Sequence, residues 1–279
     1  MTATAAPKPF RAPPPPPGAR PSIRAFEVGS GIVTSPQRVV LYGSGGIGKT
    51  TLVSLLTEIG KRPLFLDVES GTNRLAVDRV ESKHLQTFAD VRAALCSDSL
   101  WADHDVVVID SLSKVEDMAA VHVCEEAGKD KIEDVDGGFG KGYRRLYETI
   151  LSLLTDLDTH VRAGRDVVLI AHETKASVPN PHGEDFLRYE PRLYQANKHS
   201  VREKVKEWAD HLLAVLYDVS TKEGKATGHG SRAIYLKELP THVAKSRDNH
   251  APDERVESMP YDEGDPAIWR YLFQTNNSK

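Results

Sequence analysis

Residues 43–50 read Gly-Ser-Gly-Gly-Ile-Gly-Lys-Thr, and this stretch decides the fold. It lies between the apolar run Arg38–Tyr42, which predicts a strand, and the stretch Lys49–Ile59, which predicts a helix. Glycines tolerate unusual backbone dihedrals, so the N–H groups of such a loop can surround an anion at the start of the helix. The spacing in this strand-loop-helix context is specific for a phosphate-binding loop, which makes a purely structural glycine turn a weak alternative.

The side chains of this loop indicate which phosphate ligand it binds. Lys49 can reach the β and γ phosphates of a nucleoside triphosphate, and the Thr50 hydroxyl can ligate Mg²⁺. We therefore expect ATP and Mg²⁺ as cofactors. The residues expected to contact the nucleotide are Gly43, Ser44, Gly45, Gly46, Ile47, Gly48, Lys49, Thr50 and Thr51.

Composition and charge narrow the class of protein. The 279 residues include 39% hydrophobic and 27% charged side chains, as in ordinary globular proteins, and have a formal net charge of −4. This charge argues against coating of nucleic acid by the whole surface, so any contact with DNA requires a local basic patch. Cys96 and Cys124 match neither a disulfide framework nor a metal motif. The histidines show no ligand spacing, and we expect no zinc site.

The N-terminal residues 1–35 are rich in proline and lack the apolar core of a secretory signal. The run Arg11–Gly18 cannot join a helix or a central strand, so we expect a disordered arm ahead of an ATPase domain at residues 36–279. Docking of this arm on an aromatic groove of a partner is the alternative to a flexible leader. Since no apolar run is long enough to span a membrane, we expect a cytoplasmic protein without a membrane partner.

Short apolar runs alternate with helical stretches through the middle of the chain. This alternation predicts an α/β fold, a mainly parallel central sheet flanked by helices on both faces. Helical periodicity over Tyr143–Val161 predicts a long helix whose aromatic residues are core contacts. Leu212–Val219 and Ala233–Leu239 predict a C-terminal β-hairpin joined by the segment Ser220–Ser231. The apolar runs are Arg38–Tyr42, Pro63–Asp67, Asp105–Asp110 and Asp166–Ala171.

Polar side chains follow these runs at the sheet edge where open α/β sheets bind ligands. Asp110 ends one buried strand and is expected to hold Mg²⁺ through water. Glu69 is the candidate for orienting or activating the attacking water, and a helix cap or a solvated turn acid is the alternative. His172 can sense the γ phosphate, and a satisfied core histidine is the alternative.

The polar segment Glu173–His199 interleaves aromatic and basic side chains. Aromatic faces for stacking and cations for phosphates suit sequence-tolerant binding of single-stranded nucleic acid. An ordinary mobile surface loop explains the same composition equally well. The candidate nucleic-acid residues are Lys175, Arg188, Tyr189, Arg192, Tyr194 and Lys198.

Two cations stand close together near the C-terminus. In an extended chain, Lys245 and Arg247 project from the same side. Such a pair can reach a phosphate across a subunit boundary, as arginine fingers do. A solvated basic turn is the alternative.

Together, these motifs resemble those of the RecA-like P-loop ATPases over about residues 36–250. They are most similar to the compact phage-encoded ATP-binding proteins linked to single-strand annealing and recombination. The segments that carry the resemblance are residues 43–50, Phe65–Glu69, Val106–Asp110, Gly138–Tyr143, Val168–His172, Val205–Asp210 and Ala244–Arg247.

The resemblance implies roles for single residues. Lys49 and Thr50 would bind nucleotide and metal, Asp110 would support Mg²⁺, and Glu69 would occupy the position of the catalytic glutamate. His172 would stand where recombinases carry a polar sensor that couples nucleotide state to a DNA-binding loop. Lys245-Ser-Arg247 is similar to the Lys-x-Arg finger that acts on ATP in the adjacent protomer.

The function implied by this resemblance is a DNA-stimulated ATPase that acts on single-stranded DNA in phage-type annealing or strand exchange. It implies a homo-oligomer, ring or filament, in the cytoplasm of the host if a phage encodes it, with a single-strand-binding protein as a candidate partner. The alternatives are a helicase or loader motor, a small-molecule kinase, and a non-catalytic DNA-binding module switched by ATP. No clear lid segment supports the kinase.

Overall fold

The computed structural model describes residues 28–31, 35–180, 183–218, 220–222, 225–227, 230–248 and 250–273. The chain divides into two units, Met1–Thr34 and Ser35–Lys279, and all helices and strands described below belong to the second. Residues 1–27, most of the predicted arm, lie outside the described residues.

A mainly parallel sheet forms the centre of this unit. Its main path has the strand order β12-β10-β7-β1-β5-β4-β2-β3, and the pairs from β7 to β3 are parallel. The strands are β1 (Arg38–Gly43), β2 (Pro63–Asp67), β3 (Asp78–Val80), β4 (Val106–Asp110), β5 (Asp166–Val178), β6 (Phe186–Pro191), β7 (His211–Tyr217), β8 (Ser220–Lys222), β9 (Lys225–Thr227), β10 (Arg232–Tyr235), β11 (Lys245–Ser246) and β12 (Ser258–Pro260).

Helices cover both faces of the sheet because the central strands are apolar on both sides. α2, α3, α4 and α5 pack on one face, and α1 and α6 pack on the other. This arrangement confirms the predicted α/β fold. The helices are α1 (Lys49–Ser54), α2 (Phe88–Leu95), α3 (Leu112–Ala127), α4 (Lys141–Arg162), α5 (Val201–Trp208) and α6 (Ala267–Phe273), with 3-10 turns at Leu55–Ile59, Ser82–His84, Asp98–Trp101 and Ile132–Gly137.

The predicted helices agree with the structure in position but not in every detail. The helix predicted over Lys49–Ile59 is α-helical only to Ser54 and continues as a 3-10 turn. The long helix α4 contains the predicted stretch Tyr143–Val161, and Tyr143 and Tyr147 pack against the core as expected. No helix among the described residues is both long and apolar enough to cross a membrane.

The segment after His172 is not an ordinary surface loop, which was one of the two interpretations of its composition. β5 continues beyond Ala171 to Val178 and pairs antiparallel with β6, from Glu173 opposite Pro191 to Val178 opposite Phe186. Main-chain pairing therefore orders a polar stretch that has no continuous apolar run. We call β5 from Glu173 onward, together with β6, the β5–β6 hairpin.

The C-terminal hairpin is present, with different bounds. β7 begins at His211 and pairs antiparallel with β10, which ends at Tyr235 rather than at Leu239. The chain then turns back so that β11 pairs with the start of β7. The segment that joins β7 to β10 contains the small antiparallel ladder of β8 and β9, and Val219 lies outside the described residues.

Glu116 on α3 gives the fold a testable pH dependence. Its carboxylate accepts a hydrogen bond from the Tyr194 N–H at 2.8 Å, and burial raises its pKa to about 7. Asp117 acts in the same direction, whereas Arg192 and Arg202 oppose it. The folded state must therefore hold a buried charge above pH 7, and this cost disappears as the pH falls towards the unfolded-state pKa of 4.5.

We predict that Glu116→Gln raises the free energy of unfolding at pH 8 by about 2 to 3 kcal/mol. The amide oxygen can still accept from Tyr194, so the gain should shrink towards zero near pH 5. Urea unfolding of both proteins across this pH range measures the difference. A gain that does not change with pH would contradict the assignment.

Candidate nucleotide-binding site

The loop between β1 and α1 surrounds a buried ammonium group. Lys49 is 6% exposed, and its Nζ donates to the carbonyl oxygens of Gly43 and Ser44, each at 2.8 Å. Burial lowers the pKa of Lys49, while Asp110, Glu173 and Glu69 oppose this shift. The ammonium has little solvent around it and only neutral hydrogen-bond acceptors, so an anionic phosphate would be a strongly favoured partner.

The structure brings together Thr50 and Asp110, the two residues predicted to hold a metal ion. The Thr50 hydroxyl donates to Asp110 Oδ2 at 2.6 Å across the strand β5, which lies between β1 and β4. Burial, together with the nearby carboxylates of Asp67 and Glu69, raises the pKa of Asp110 to about 6. A Cβ on Gly71 would come within 3.5 Å of Asp110 Oδ2, so the glycine keeps space beside these oxygens. A hard cation such as Mg²⁺ fits this donor set and would relieve the buried negative charge.

Glu69 and His172 are brought together at the end of β2 and on β5. His172 Nε2 lies 3.1 Å from Glu69 Oε2, and the Ser111 hydroxyl donates to Glu69 Oε1 at 2.6 Å. The side chains of His172 and Glu69 are 33% and 30% exposed. His172 is therefore not a buried core histidine, and Glu69 caps none of the described helices.

Asp67 holds the turn that presents Glu69, a role that the sequence analysis missed. Its carboxylate accepts from the N–H groups of Gly71 and Thr72, each at 2.9 Å, and from the Thr72 hydroxyl. Arg79, which lies on β3, donates to the carbonyl and hydroxyl oxygens of Thr72. The sequence signal for this turn was Asp67 followed by Gly71 and Thr72, because aspartate side chains commonly accept hydrogen bonds that close such turns.

Two residues near the C-terminus support the phosphate-binding loop and were also missed. The Tyr261 hydroxyl donates to the Gly48 carbonyl at 2.8 Å, and Arg232 Nη1 donates to the Ile47 carbonyl at 2.9 Å. The Arg232 guanidinium lies 4.2 Å from the centre of the Tyr261 ring. Neither residue stands in a recognisable motif, so these contacts could not be inferred from one sequence.

Lys245 and Arg247 do not lie at this site. β11 places Lys245 opposite Leu212 at the start of β7, which runs parallel to β1. The loop after β1 therefore lies at the carboxyl ends of these strands, whereas Lys245 lies near their amino ends. Arg247 Nη1 lies 3.7 Å from Asp210 Oδ1, and its side chain is 62% exposed. Within one chain, neither cation can reach the phosphate-binding loop.

The candidate nucleic-acid residues are spread over the β5–β6 hairpin and the segment after it. Lys175 and Tyr189 lie opposite one another on the hairpin, with Lys175 Nζ 5.7 Å from the Tyr189 ring. Lys198 lies exposed in the later segment.

The other candidates have partners within the chain. Arg188 donates to Glu190 and Glu238, and Arg192 Nη2 lies 3.1 Å from Asp117 Oδ2. Tyr194 stacks on Tyr143 with ring centres 4.4 Å apart. Sequence alone could not show most of these partners, since Glu238, Asp117 and Tyr143 are distant along the chain from the residues they contact.

The sheet order, the loop after β1 and the carboxylates after β2 and β4 define an α/β protein of the P-loop NTPase class. Comparison with known proteins gives the family. The AAA domain family model matches residues 35–248, and this chain belongs to that family.

Individual relatives are distant. The peroxisomal ATPase PEX1 of Arthrobotrys oligospora is 28% identical over 155 residues, which cover 56% of this chain and 12% of that protein. The SPbeta prophage-derived uncharacterized protein YorG of Bacillus subtilis is 28% identical over 153 residues, which cover 52% of this chain and 44% of that protein. The chain thus spans less than half the length of either relative.

Among solved structures, a KaiC-like protein from Pyrococcus horikoshii superimposes with a TM-score of 0.43 at 14% sequence identity. The superposition covers 82% of this chain and 86% of that protein.

We predict that Asp110→Asn removes the Mg²⁺ dependence of ATP binding. The amide keeps the shape of the side chain but supplies less charge to the cation, so the affinity for ATP with Mg²⁺ should fall about tenfold or more. Binding in excess EDTA should be the same as for the wild type. Calorimetric titration with and without Mg²⁺ measures both values, and an equal loss under both conditions would indicate a disturbed loop instead.

Proposed function

We propose that this protein is a Mg²⁺-dependent ATPase that couples hydrolysis to binding of single-stranded DNA, in annealing or strand exchange of the phage type. The observation that carries the proposal is the contact between Glu69, the candidate for water activation, and His172, which leads into the β5–β6 hairpin. This contact gives the nucleotide site a direct route to an exposed element.

The route continues through hydrogen bonds at the base of the hairpin. The His172 N–H donates to the Ser113 hydroxyl at 3.0 Å, and that hydroxyl donates to the Arg192 carbonyl at 3.0 Å. The Arg192 N–H returns to the His172 carbonyl at 2.8 Å. Both ends of the hairpin are thereby fixed to the start of α3, where Ser111 binds Glu69. Movement of Glu69 would therefore be transmitted to the hairpin.

The same residues can perform hydrolysis. Lys49 would neutralise charge on the β and γ phosphates, and Mg²⁺ held by Thr50 and Asp110 would add electrostatic stabilisation. Glu69 would accept the proton of a water whose oxygen attacks the γ phosphorus as the bond to the leaving ADP oxygen breaks. His172 and Ser111 hold the Glu69 carboxylate, and its remaining lone pairs would accept the hydrogen bond of the attacking water.

Single-stranded DNA is proposed as partner because the hairpin has an exposed face next to the site. Lys175, Ser177 and Leu187 are exposed on it, and Tyr189 lies beside Lys175. A cation with aromatic and apolar neighbours suits contact with an unpaired strand. The match to a prophage-derived protein agrees with a phage setting and hence with the cytoplasm of a host.

The proposal also includes a homo-oligomer and a second protein partner, and it has an alternative within the same fold. Lys245 and Arg247 can act only on a neighbouring chain, which favours a ring or filament, and a single-strand-binding protein is a candidate partner. The alternative is a DNA-binding module that ATP only switches, and it is favoured by the two hydrogen bonds that hold Glu69. A directional motor would differ from both by unwinding duplex DNA.

We expect single-stranded DNA to stimulate steady-state ATP hydrolysis and duplex DNA to do so weakly. Glu69→Gln should lower turnover about 100-fold or more while ATP still binds, because the amide cannot accept a proton. His172→Ala should lower the ratio of stimulated to basal rate, because it removes the side-chain contact between β5 and Glu69. Lys49→Ala should bind no ATP.

The matched control is Glu58→Gln, at an exposed carboxylate in the 3-10 turn that follows α1, which should behave as the wild type. Unchanged turnover in Glu69→Gln would move the ATP-switched module ahead. Absence of both stimulation and DNA retention in the wild type would contradict the proposed partner.

A further inference from the structure

The turn that carries Glu69 is closed by a buried chain of hydrogen bonds. Thr72 is fully buried, and its hydroxyl donates to the carboxylate of Asp67, a residue that is itself 1% exposed. The same hydroxyl accepts from Arg79 Nη1 at 3.0 Å, and this guanidinium also donates to the Thr72 carbonyl. Thr72 therefore stands between a carboxylate on β2 and a guanidinium on β3.

The chemistry of the two partners fixes the direction of this chain. Arg79 can only donate, so the Thr72 hydroxyl accepts from it and its one proton is left for Asp67. The charge of the guanidinium strengthens the hydrogen bond from Thr72 to Asp67, since hydrogen bonds in such a chain polarise one another. Only a side chain with both a donor and an acceptor at residue 72 completes the chain.

The residues on both sides of Glu69 are also held. The Val68 N–H donates to the Asp110 carbonyl at 3.0 Å, which ties the start of the turn to β4. Ser70 has a φ of 60°, a conformation that persists in residues other than glycine only where the surroundings hold it. The Ser70 hydroxyl lies 2.7 Å from the hydroxyl of Ser82, in the 3-10 turn after β3. The edge strand β3 and the segment after it thus brace the far side of the turn.

Arg79 brings positive charge to a part of the site that is rich in carboxylates. The side chains of Asp67 and Glu69 both help to raise the pKa of Asp110, so the three acids interact. Arg79 stands on β3, the edge strand of the sheet, and its charge reaches Asp67 through the Thr72 hydroxyl. The geometry of the turn therefore depends on a cation that lies outside the phosphate-binding loop.

We propose that Arg79 is a positioning residue for Glu69. Through Thr72 and Asp67, it fixes the backbone from which Glu69 projects, so that the carboxylate stays within hydrogen-bond reach of the attacking water. Displacement of a reacting group by about 1 Å can cost about 100-fold in rate, so a loosened turn slows hydrolysis. Binding of ATP depends on the loop after β1 and does not require this chain. The inference rests on the proposed function for the role of Glu69.

The test compares Thr72→Val with Thr72→Ser. Valine keeps the shape of the side chain without the hydroxyl, whereas serine keeps the hydroxyl. We expect Thr72→Val to lower kcat about tenfold while KM for ATP stays within about twofold of the wild type, because the turn loosens and the nucleotide loop does not. Thr72→Ser should stay within about threefold of the wild-type kcat. Arg79→Met should lower kcat as Thr72→Val does.

Two further comparisons separate positioning from a general loss of structure. The double variant Thr72→Val/Arg79→Met should have a kcat no lower than either single variant, because both changes break the same chain. In the Glu69→Gln background, Thr72→Val should change the remaining rate by less than about twofold, since no carboxylate is left to position. The control is Lys83→Met, which removes an exposed cation from the 3-10 turn after β3 and should behave as the wild type. Thermal unfolding verifies that each variant is folded.

Hydrogen–deuterium exchange provides a measurement that needs no hydrolysis. The N–H groups of Gly71 and Thr72 donate to Asp67, so their exchange reports whether the turn is closed. We expect the Gly71 amide to exchange about fivefold faster or more in Thr72→Val and in Arg79→Met than in the wild type. Exchange of residues 43–50 should be unchanged in both variants.

Three results would overturn the proposal: unchanged Gly71 exchange in both variants, wild-type kcat in both variants, or a loss of rate by Thr72→Val that persists in full in the Glu69→Gln background. A wild type that hydrolyses no ATP would instead contradict the proposed ATPase. The exchange comparison would still decide in that case whether Arg79 holds the turn, so the two failures are distinguishable.

Discussion

The hydrogen bond from Thr50 to Asp110 is the contact on which the site depends, because it joins the loop after β1 to the end of β4. β5 lies between β1 and β4 and runs parallel to both. The part of β5 that pairs with them therefore ends at the same edge of the sheet as they do. His172 therefore stands beside the loop, and β2 on the far side of β4 brings Glu69 to it. One interaction thus fixes where the candidate metal ligands, the candidate base and its histidine neighbour lie.

The parts of the fold that could be predicted are the strands whose continuous apolar sequence indicates burial on both faces of the sheet. β1, β2 and β4 are continuous apolar runs, and each stands where it was expected. The glycine loop, Lys49, Thr50 and Asp110 came from spacing, because phosphate and metal binding demand those residue types in that order. The structure brings all of them to one place.

What the sequence did not reveal depends on contacts between distant residues. Glu173–Val178 is polar and extends beyond the sheet core, so pairing with β6 orders it and no apolar pattern announces it. Tyr261 and Arg232 act on carbonyl groups of the loop through contacts that no local pattern encodes. The ion pairs that Arg188 makes with Glu190 and Arg192 makes with Asp117 are likewise contacts that only the structure shows.

Transmission from the nucleotide to the hairpin is tested most directly by hydrogen–deuterium exchange. Exchange of residues 173–178 and 186–191 is compared in the wild type with Mg²⁺ and either ADP or a non-hydrolysable ATP analogue. The contact between Glu69 and His172 predicts that protection of these amides differs between the two nucleotides. Identical exchange in the hairpin, with residues 43–50 protected by both nucleotides, would contradict the coupling.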